Sequence, residues 1–218
     1  MMHYRLKGKR GFTLVEIFVV IAILAILGTM GWQATKLVQS RRMYKTAEIQ
    51  IGQMETGMNA YRQDYGDTLP YGDGDAWSAH VLYSALYCDE DNDGEPDRDK
   101  DTKATKTPYC EAIVPVESLK KAAEIPNGLI AVKVNMKSSS GKKGKSGKKS
   151  GKFFAILDPW GKPYLYRLGY NMQDDSNRSG QGINPDFDIF SQGPDGLGDG
   201  LDNKGDNEDN VSNVLSWE

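Results

Sequence analysis

Hydrophobic and polar positions follow three rhythms along this chain. From Phe12 to Gly31 the run FTLVEIFVVIAILAILGTMG is apolar almost without interruption. That is about the length a helix needs to cross a bilayer. Further on the pattern becomes one-sided. Ala47, Ile51, Met54, Met58, Tyr61 and Tyr65 recur at spacings of four and three, with Lys45, Glu48, Gln53, Glu55, Arg62 and Gln63 between them. Such a stripe marks a helix with one apolar face. Gly66 supplies a stop signal, and Pro70 lies beyond it. No break separates the two stretches, so Phe12 through Tyr65 predicts one helix of roughly 80 Å at 1.5 Å per residue.

The third rhythm is short and β-like. Trp77, Val81, Leu82, Ala85 and Leu86 first suggest a second, brief helix. Leu129 to Met136 and Lys152 to Leu157 are then β-rich and roughly alternating, as two strands of a hairpin would be. The lysine-, serine- and glycine-rich segment between them reads as the hairpin tip. DPWGKPY, from Asp158 to Tyr164, is a turn whose Pro and Gly supply the geometry. Tyr164 to Leu168 and Phe187 to Ser191 are further strands. Because strands follow the amphipathic helix, its stripe is expected to be buried on a sheet, with a coiled-coil partner as the rival. The fold class expected is α+β: one long N-terminal helix packed on a small antiparallel sheet.

Charge is unevenly placed. The chain has 218 residues, a formal net charge of −3 and 39% hydrophobic residues, much of that content spent near the N-terminus. The remaining core must therefore be small. Lys137 to Lys152 carries lysines and no acids, whereas Asp186 to Glu218 carries many acids and one lysine, Lys204. Blocks of this kind usually mark loops or solvated faces. The lysine block has no interleaved aromatics, so nucleic acid is not an expected partner. Only His3 and His80 are present, which argues against a histidine-based metal or triad site. No nucleophile with a paired base is apparent, so no catalytic residues are expected.

The segment CDEDNDGEPDRDKD changes the picture more. Asp89, Asp91, Asp93, Gly94 and Asp97 fit D-x-D-x-D-G-x-x-D. Alternate carboxylates around a glycine turn suit a hard cation such as Ca²⁺. An EF-hand would need a bidentate Glu where Lys100 stands, and Pro96 disfavours its loop path. The stretch is more similar to the short calcium loops of dockerin-type and thrombospondin-type repeats; a solvated acidic loop is the equal alternative. Cys88 and Cys110 bracket it. In an oxidising compartment they are expected to bond, closing the loop and stabilising the fold by a few kcal/mol.

The N-terminus carries the sharpest signal. Arg5, Lys7, Lys9 and Arg10 precede Gly11, and Glu16 lies inside the apolar run. Flanking basic residues should stay in the cytoplasm, leaving the bulk of the chain outside. An ordinary secretory signal would end in a small-residue cleavage site, which is missing here. A plain anchor leaves Glu16 unexplained, since a charge inside a membrane helix is costly and usually functional. Cleavage after Gly11 would free an amine on Phe12. That cation and the Glu16 anion could neutralise each other between staggered neighbouring helices.

Gly11 followed by Phe-Thr-Leu-Val-Glu and an apolar run resembles the prepilin signature of type IV pilins and type II secretion pseudopilins. The resemblance implies cleavage between Gly11 and Phe12 by a membrane-embedded prepilin peptidase, then methylation of the new N-terminus. The family's frequent helix-bending proline is missing, since no proline precedes Pro70. Asp-Pro-Trp-Gly, Ser-Gln-Gly-Pro-Asp-Gly and the closing Asp-Asn-Val and Trp217 are similar to the major, G-type pseudopilin. By position the resemblance assigns one calcium to Asp195, Asp209 and Asn210, with Asp199, Asp202 and Asp206 as further candidates.

It also implies an organisation: residues 1–11 a leader, 12–32 a transmembrane and assembly helix, 33–66 its amphipathic continuation, 67–128 a variable region with the acidic loop, and 129–218 the sheet and C-terminal acidic loop. The expected role is structural. Subunits would leave the bacterial inner membrane, where each sits single-pass with its C-terminal domain in the periplasm. They would polymerise with themselves and with minor pseudopilins on an inner-membrane assembly platform. The periplasmic filament would push substrates through an outer-membrane secretin. The alternatives are a type IV pilus major or minor pilin for adhesion, motility or DNA uptake, and a filament-displayed calcium-dependent binding protein using the Lys137–Lys152 loop.

Overall fold

The computed structural model describes residues 12–66, 68–122, 128–137, 150–172, 182–194 and 211–212. At 28–37, 119, 122, 137, 150 and 211–212 it describes the backbone only. The chain divides into two compact units, Met1–Arg42 and Met43–Glu218. One helix, α1, runs over Leu14–Tyr65 and contributes to both.

In the first unit, α1 is apolar from Leu14 to Leu27 except at Glu16. Phe12, Leu14, Val15, Ile17, Phe18, Ile21 and Leu24 are all more than half exposed. No helix of the described residues is long and apolar enough to cross a membrane. The apolar run with described side chains ends at Leu27, short of the ~20 residues a span needs; the rest of the expected span, to Gly31, lies outside them.

In the second unit, α1 behaves as its stripe predicts. Ala47, Ile51, Met54 and Met58 are buried, Tyr61 is half-buried, and Tyr65 is largely exposed, so the stripe stops one turn early. Gly66 ends the helix with φ +63°, a left-handed conformation that glycine adopts without a steric penalty. The polar residue that joins the stripe is Gln50. It is 5% exposed, accepts a bond from the Tyr164 hydroxyl at 2.7 Å and donates to the Gly128 carbonyl at 3.1 Å. A buried amide is tolerable only with partners of this kind.

Helix α2 spans Ala76–Tyr87. Asp75 caps its start by accepting the Ser78 N–H at 2.9 Å, and Cys88 caps its end in the left-handed region at φ 59°. Strand β1 (Ile113–Val116), the short helix α3 (Leu119–Ala122), β2 (Leu129–Lys137) and β3 (Ser150–Leu157) follow. Then come β4 (Leu165–Leu168), β5 (Phe187–Ser191) and β6 (Val211–Ser212). They form two three-stranded sheets, ordered β1-β2-β3 and β4-β5-β6.

The expected hairpin is present: β2 and β3 pair antiparallel from Ile130 opposite Leu157 to Lys137 opposite Ser150. The expectation of one antiparallel sheet is corrected. Among the described residues there are two sheets, and β1 lies parallel to β2, with Ile113 opposite Leu129. The crossover that parallel pairing requires is supplied by the segment holding α3. The main core cluster joins Ile51, Met54 and Met58 of α1 to Leu82, Tyr83 and Leu86 of α2 and to Ile156, Tyr164, Tyr166 and Ile189. Each fully buried side chain of that size contributes about 1.5–3 kcal/mol relative to exposure.

Candidate functional site

Two parts of the structure bear on function: the first turn of α1 and the acidic loop after α2. At the first, Thr13 and Glu16 form a reciprocal cap. The Thr13 N–H donates to Glu16 Oε2 at 2.8 Å, and the Glu16 N–H donates to Thr13 Oγ1 at 3.3 Å. The Thr13 hydroxyl also donates to Oε2 at 3.0 Å. This is the capping-box arrangement, in which two otherwise orphaned helix-start donors are satisfied together. Thr-x-x-Glu is a sequence-level signature of it, so this part of the site was readable before the structure. Phe12, just before it, is 82% exposed. Gly11 lies outside the described residues.

At the second part, the loop winds around its own carboxylates. Asp89 is fully buried. Its Oδ2 accepts the Tyr83 hydroxyl at 2.8 Å and the Gly94 N–H at 3.0 Å, and its Oδ1 accepts the Asp93 N–H at 3.2 Å. Burial and the bond to Asp89 raise the Tyr83 hydroxyl far above its usual range, so it stays a donor. Asp93 Oδ1 takes the Glu95 N–H at 2.7 Å. Gly94, at φ +100°, turns the chain at a conformation other residues rarely adopt.

One ligand oxygen from each of Asp89, Asp91 and Asp93 lies within 4.8 Å of the others. Partial desolvation and the negative charge of Asp93, Asp97 and Asp89 raise the Asp91 carboxyl above its usual range, although the backbone N–H of Asp93 opposes this. A hard divalent cation fits such an all-oxygen set and would relieve the repulsion. Asp97, expected as a fourth ligand, is not brought into the group. Its carboxylate accepts the Glu90 N–H at 2.7 Å and so closes the loop's base.

The loop is also fastened to the sheet, through a residue that sequence pattern did not single out. Asn92 Nδ2 donates to the Lys152 carbonyl at 3.1 Å, and its Oδ1 accepts the Phe154 N–H at 2.8 Å. The side-chain amide thus stands in for a neighbouring strand on the outer edge of β3. Contact across 60 and 62 positions leaves no local trace that could have revealed it.

The expected cross-link is not formed: Cys88 and Cys110 are free, buried thiols. Cys88 is committed to capping α2, and its Sγ approaches the Thr107 carbonyl at 3.7 Å. Burial raises both thiols above their usual range, which keeps them protonated and poorly nucleophilic.

Asp195, Asp199, Asp202, Asp206, Asp209 and Asn210 all lie outside the described residues. The two ends of their segment are placed, however. Asp158, in the DPWG turn, accepts the Ser191 hydroxyl and the N–H groups of Trp160 and Lys162. Lys162 Nζ donates to the carbonyls of Gly193 and Pro194 at 3.2 and 3.1 Å. At the far end, Val211 pairs with Ser191 and Ser212 with Phe190.

Residues 6–32 match the family model described as the prokaryotic N-terminal methylation motif. The chain carries a type IV pilin-like prepilin signal. The match takes in the basic leader, Gly11, Phe12 and the Thr13–Glu16 cap, and it leaves the rest of the chain uncovered. No curated protein matches this chain, and no solved structure does. The prepilin signal accounts for a helix whose first turns are apolar on every side, since such a surface needs neighbours or lipid to cover it. The α+β arrangement, a helix followed by small sheets, is consistent with a pilin-like fold.

Proposed function

We propose that this chain is a structural subunit of a type II secretion pseudopilus. It would be inserted in the bacterial inner membrane through α1, cut between Gly11 and Phe12 by a prepilin peptidase, methylated, and polymerised into a periplasmic filament that drives protein export through a secretin. The observation that carries this proposal is the methylation motif at residues 6–32, joined to a helix start that holds the Glu16 carboxylate beside Thr13. The exposed apolar surface of α1 from Phe12 to Leu27 would face lipid before assembly and neighbouring helices after it. Glu16 would meet the new amine of a staggered neighbour, each neutralising the other out of water. The DPWG turn and its fastening to Ser191, Gly193 and Pro194 favour the pseudopilin over a pilus subunit, because that turn and the glycine- and aspartate-rich segment are the stretches that resemble the major pseudopilin.

Calcium belongs to the proposal. Asp89, Asp91 and Asp93 would hold one ion. Asp195, Asp209 and Asn210 would hold another, with Asp199, Asp202 and Asp206 nearby in sequence. The ion would have a structural role only, replacing carboxylate repulsion by coordination.

The test is a chromosomal deletion complemented by the wild-type gene or by Gly11→Asp, which blocks processing. Loss of extracellular enzymes into the periplasm, with surface fibres and surface motility intact, is expected. Intact export with lost fibres or motility would replace the pseudopilus by a type IV pilus.

A further inference from the structure

Between the end of α1, the face of α2 and the acidic loop lies a cavity of about 340 Å³, open to solvent. Its walls are aromatic. Tyr61 and Tyr65 stack at 4.4 Å with their planes 24° apart, and Trp77 also lines the cavity. The rings are fixed from behind. Tyr61 meets Tyr109 edge-on at 5.4 Å, and the Tyr109 hydroxyl is held by Asp64 at 2.8 Å. Trp77 lies edge-on to Phe153 at 4.9 Å. Ser84, Glu90 and Lys106 line the cavity as well.

The charged pair is the informative part. Lys106 is mostly buried, with its side chain 28% exposed, whereas Glu90 is 74% exposed. Their charged atoms stand 3.9 Å apart, too far for a hydrogen bond. The acid and the base form a loose ion pair with no hydrogen bond between them, and both line the cavity. A hydroxyl group between them could accept from Lys106 and donate to Glu90 at once, since it alone among common neutral groups does both through one atom. An aliphatic or aromatic side chain seated there would desolvate both charges and pair neither, which is costly. Stacked rings suit the flat, weakly polarised C–H face of a sugar, and aromatic walls with a few convergent polar groups are the general form of a small-ligand pocket.

We propose that this cavity binds a saccharide, with a pyranose ring against the aromatic lining of Tyr61, Tyr65 and Trp77 and its hydroxyls at Lys106, Glu90 and Ser84. The site is independent of filament assembly. None of its residues lies in the prepilin signal, and none is a calcium ligand named above.

The test uses the full chain in a detergent without a sugar headgroup. Saturation-transfer NMR and affinity electrophoresis are run with three probes: gluco-oligosaccharides, N-acetylglucosamine oligomers and glucuronate oligomers. Millimolar or tighter binding of at least one is expected. Tyr65→Ala, at an exposed position, should weaken it tenfold or more, and Lys106→Gln should weaken glucuronate oligomers more than neutral ones, both with unchanged thermal melts. Three outcomes overturn the proposal: no binding by any probe, binding that Tyr65→Ala and Lys106→Gln leave intact, or a signal displaced by an aromatic-rich peptide but by no excess of free sugar. The last would make the cavity a peptide groove.

Discussion

Thr13 and Glu16 hold each other at the first turn of α1, each giving its backbone N–H to the other's side chain. The carboxylate thus has two separable roles: it caps its own helix, and it supplies the negative charge proposed to meet a neighbour's amine. Glu16→Gln keeps an acceptor oxygen for the Thr13 N–H and removes the charge. Thr13→Val keeps the charge and removes the hydroxyl. If charge governs assembly, Glu16→Gln should abolish cross-linked multimers in cells, while Thr13→Val should reduce them only several-fold. Equal losses in both variants would show that helix capping alone explains why an acid stands there.

The acidic loop predicts a calcium response that can be apportioned. Saturating calcium at a hundredfold over the dissociation constant should add about 2.7 kcal/mol for each site, or roughly 5–10 °C per site in melting temperature for a chain of this size. Asp91→Ala removes an exposed ligand without disturbing the bonds that Tyr83 and Gly94 make to Asp89. It should remove part of the calcium-dependent rise and leave the melt in chelator unchanged. Asp195→Ala should remove the other part. A wild-type melt that is identical in calcium and in chelator would dismiss both sites.

What was legible in the chain follows from range. The stripe of Ala47, Ile51, Met54 and Met58 is buried as its spacing predicts, because helix periodicity is a local property. Phe187 to Ser191 is a strand over the residues expected. β1 was missed for two reasons. Pro115 breaks its strand pattern, and its partner is a parallel strand across a crossover, which leaves no turn signal between them. β4 and β5 fall on stretches expected to be strands, but their grouping into a sheet apart from β2 and β3 depends on pairing that has no local sequence signal. In the candidate site, the carboxylates converge where the D-x-D-x-D-G spacing placed them. Asp97 leaves the group because the Glu90 N–H needs an acceptor, and Asn92 joins the neighbourhood through contacts that only the fold creates.

The second sheet holds a buried ion pair whose loss should be severe. Asp188 is fully buried and sits opposite Arg167 in the β4–β5 register, accepting from its guanidinium at 3.2 Å. It also accepts the N–H groups of Ile183 and Asn184 at 2.7 and 2.9 Å, pinning the turn before β5. Arg167 Nε is buried with no partner, so the guanidinium already pays part of its desolvation cost unreturned. Asp188→Ala would leave that cation alone and orphan two backbone donors. A loss of about 3–5 kcal/mol is expected by urea denaturation. The double variant Arg167→Met with Asp188→Asn should recover at least half of it. A single-variant loss below about 1 kcal/mol would mean that water reaches the pair.

Asp158 supplies a pH dependence of opposite sign to the usual acid unfolding. Burial raises its carboxyl above the ordinary range, outweighing the bonds from Ser191, Lys162 and Trp160 and the charge of Lys162. A carboxyl whose folded value is raised holds its proton more tightly folded than unfolded. Its contribution is therefore most favourable at low pH and declines as pH rises from about 3.9, the unfolded value, through the folded value. Above that point the folded state carries a buried anion at a constant penalty. Asp158→Asn keeps an oxygen for the Trp160 and Lys162 N–H groups, and its amide N–H can donate to the Ser191 Oγ in place of the bond that Oδ2 accepted. The variant should therefore lose this component, so that the difference in unfolding free energy between wild type and variant shifts in the variant's favour as pH rises across the window. Parallel stability curves for the two proteins from pH 4 to pH 7 would show that the Asp158 carboxyl binds its proton equally well folded and unfolded, so that its hydrogen bonds cancel the effect of burial.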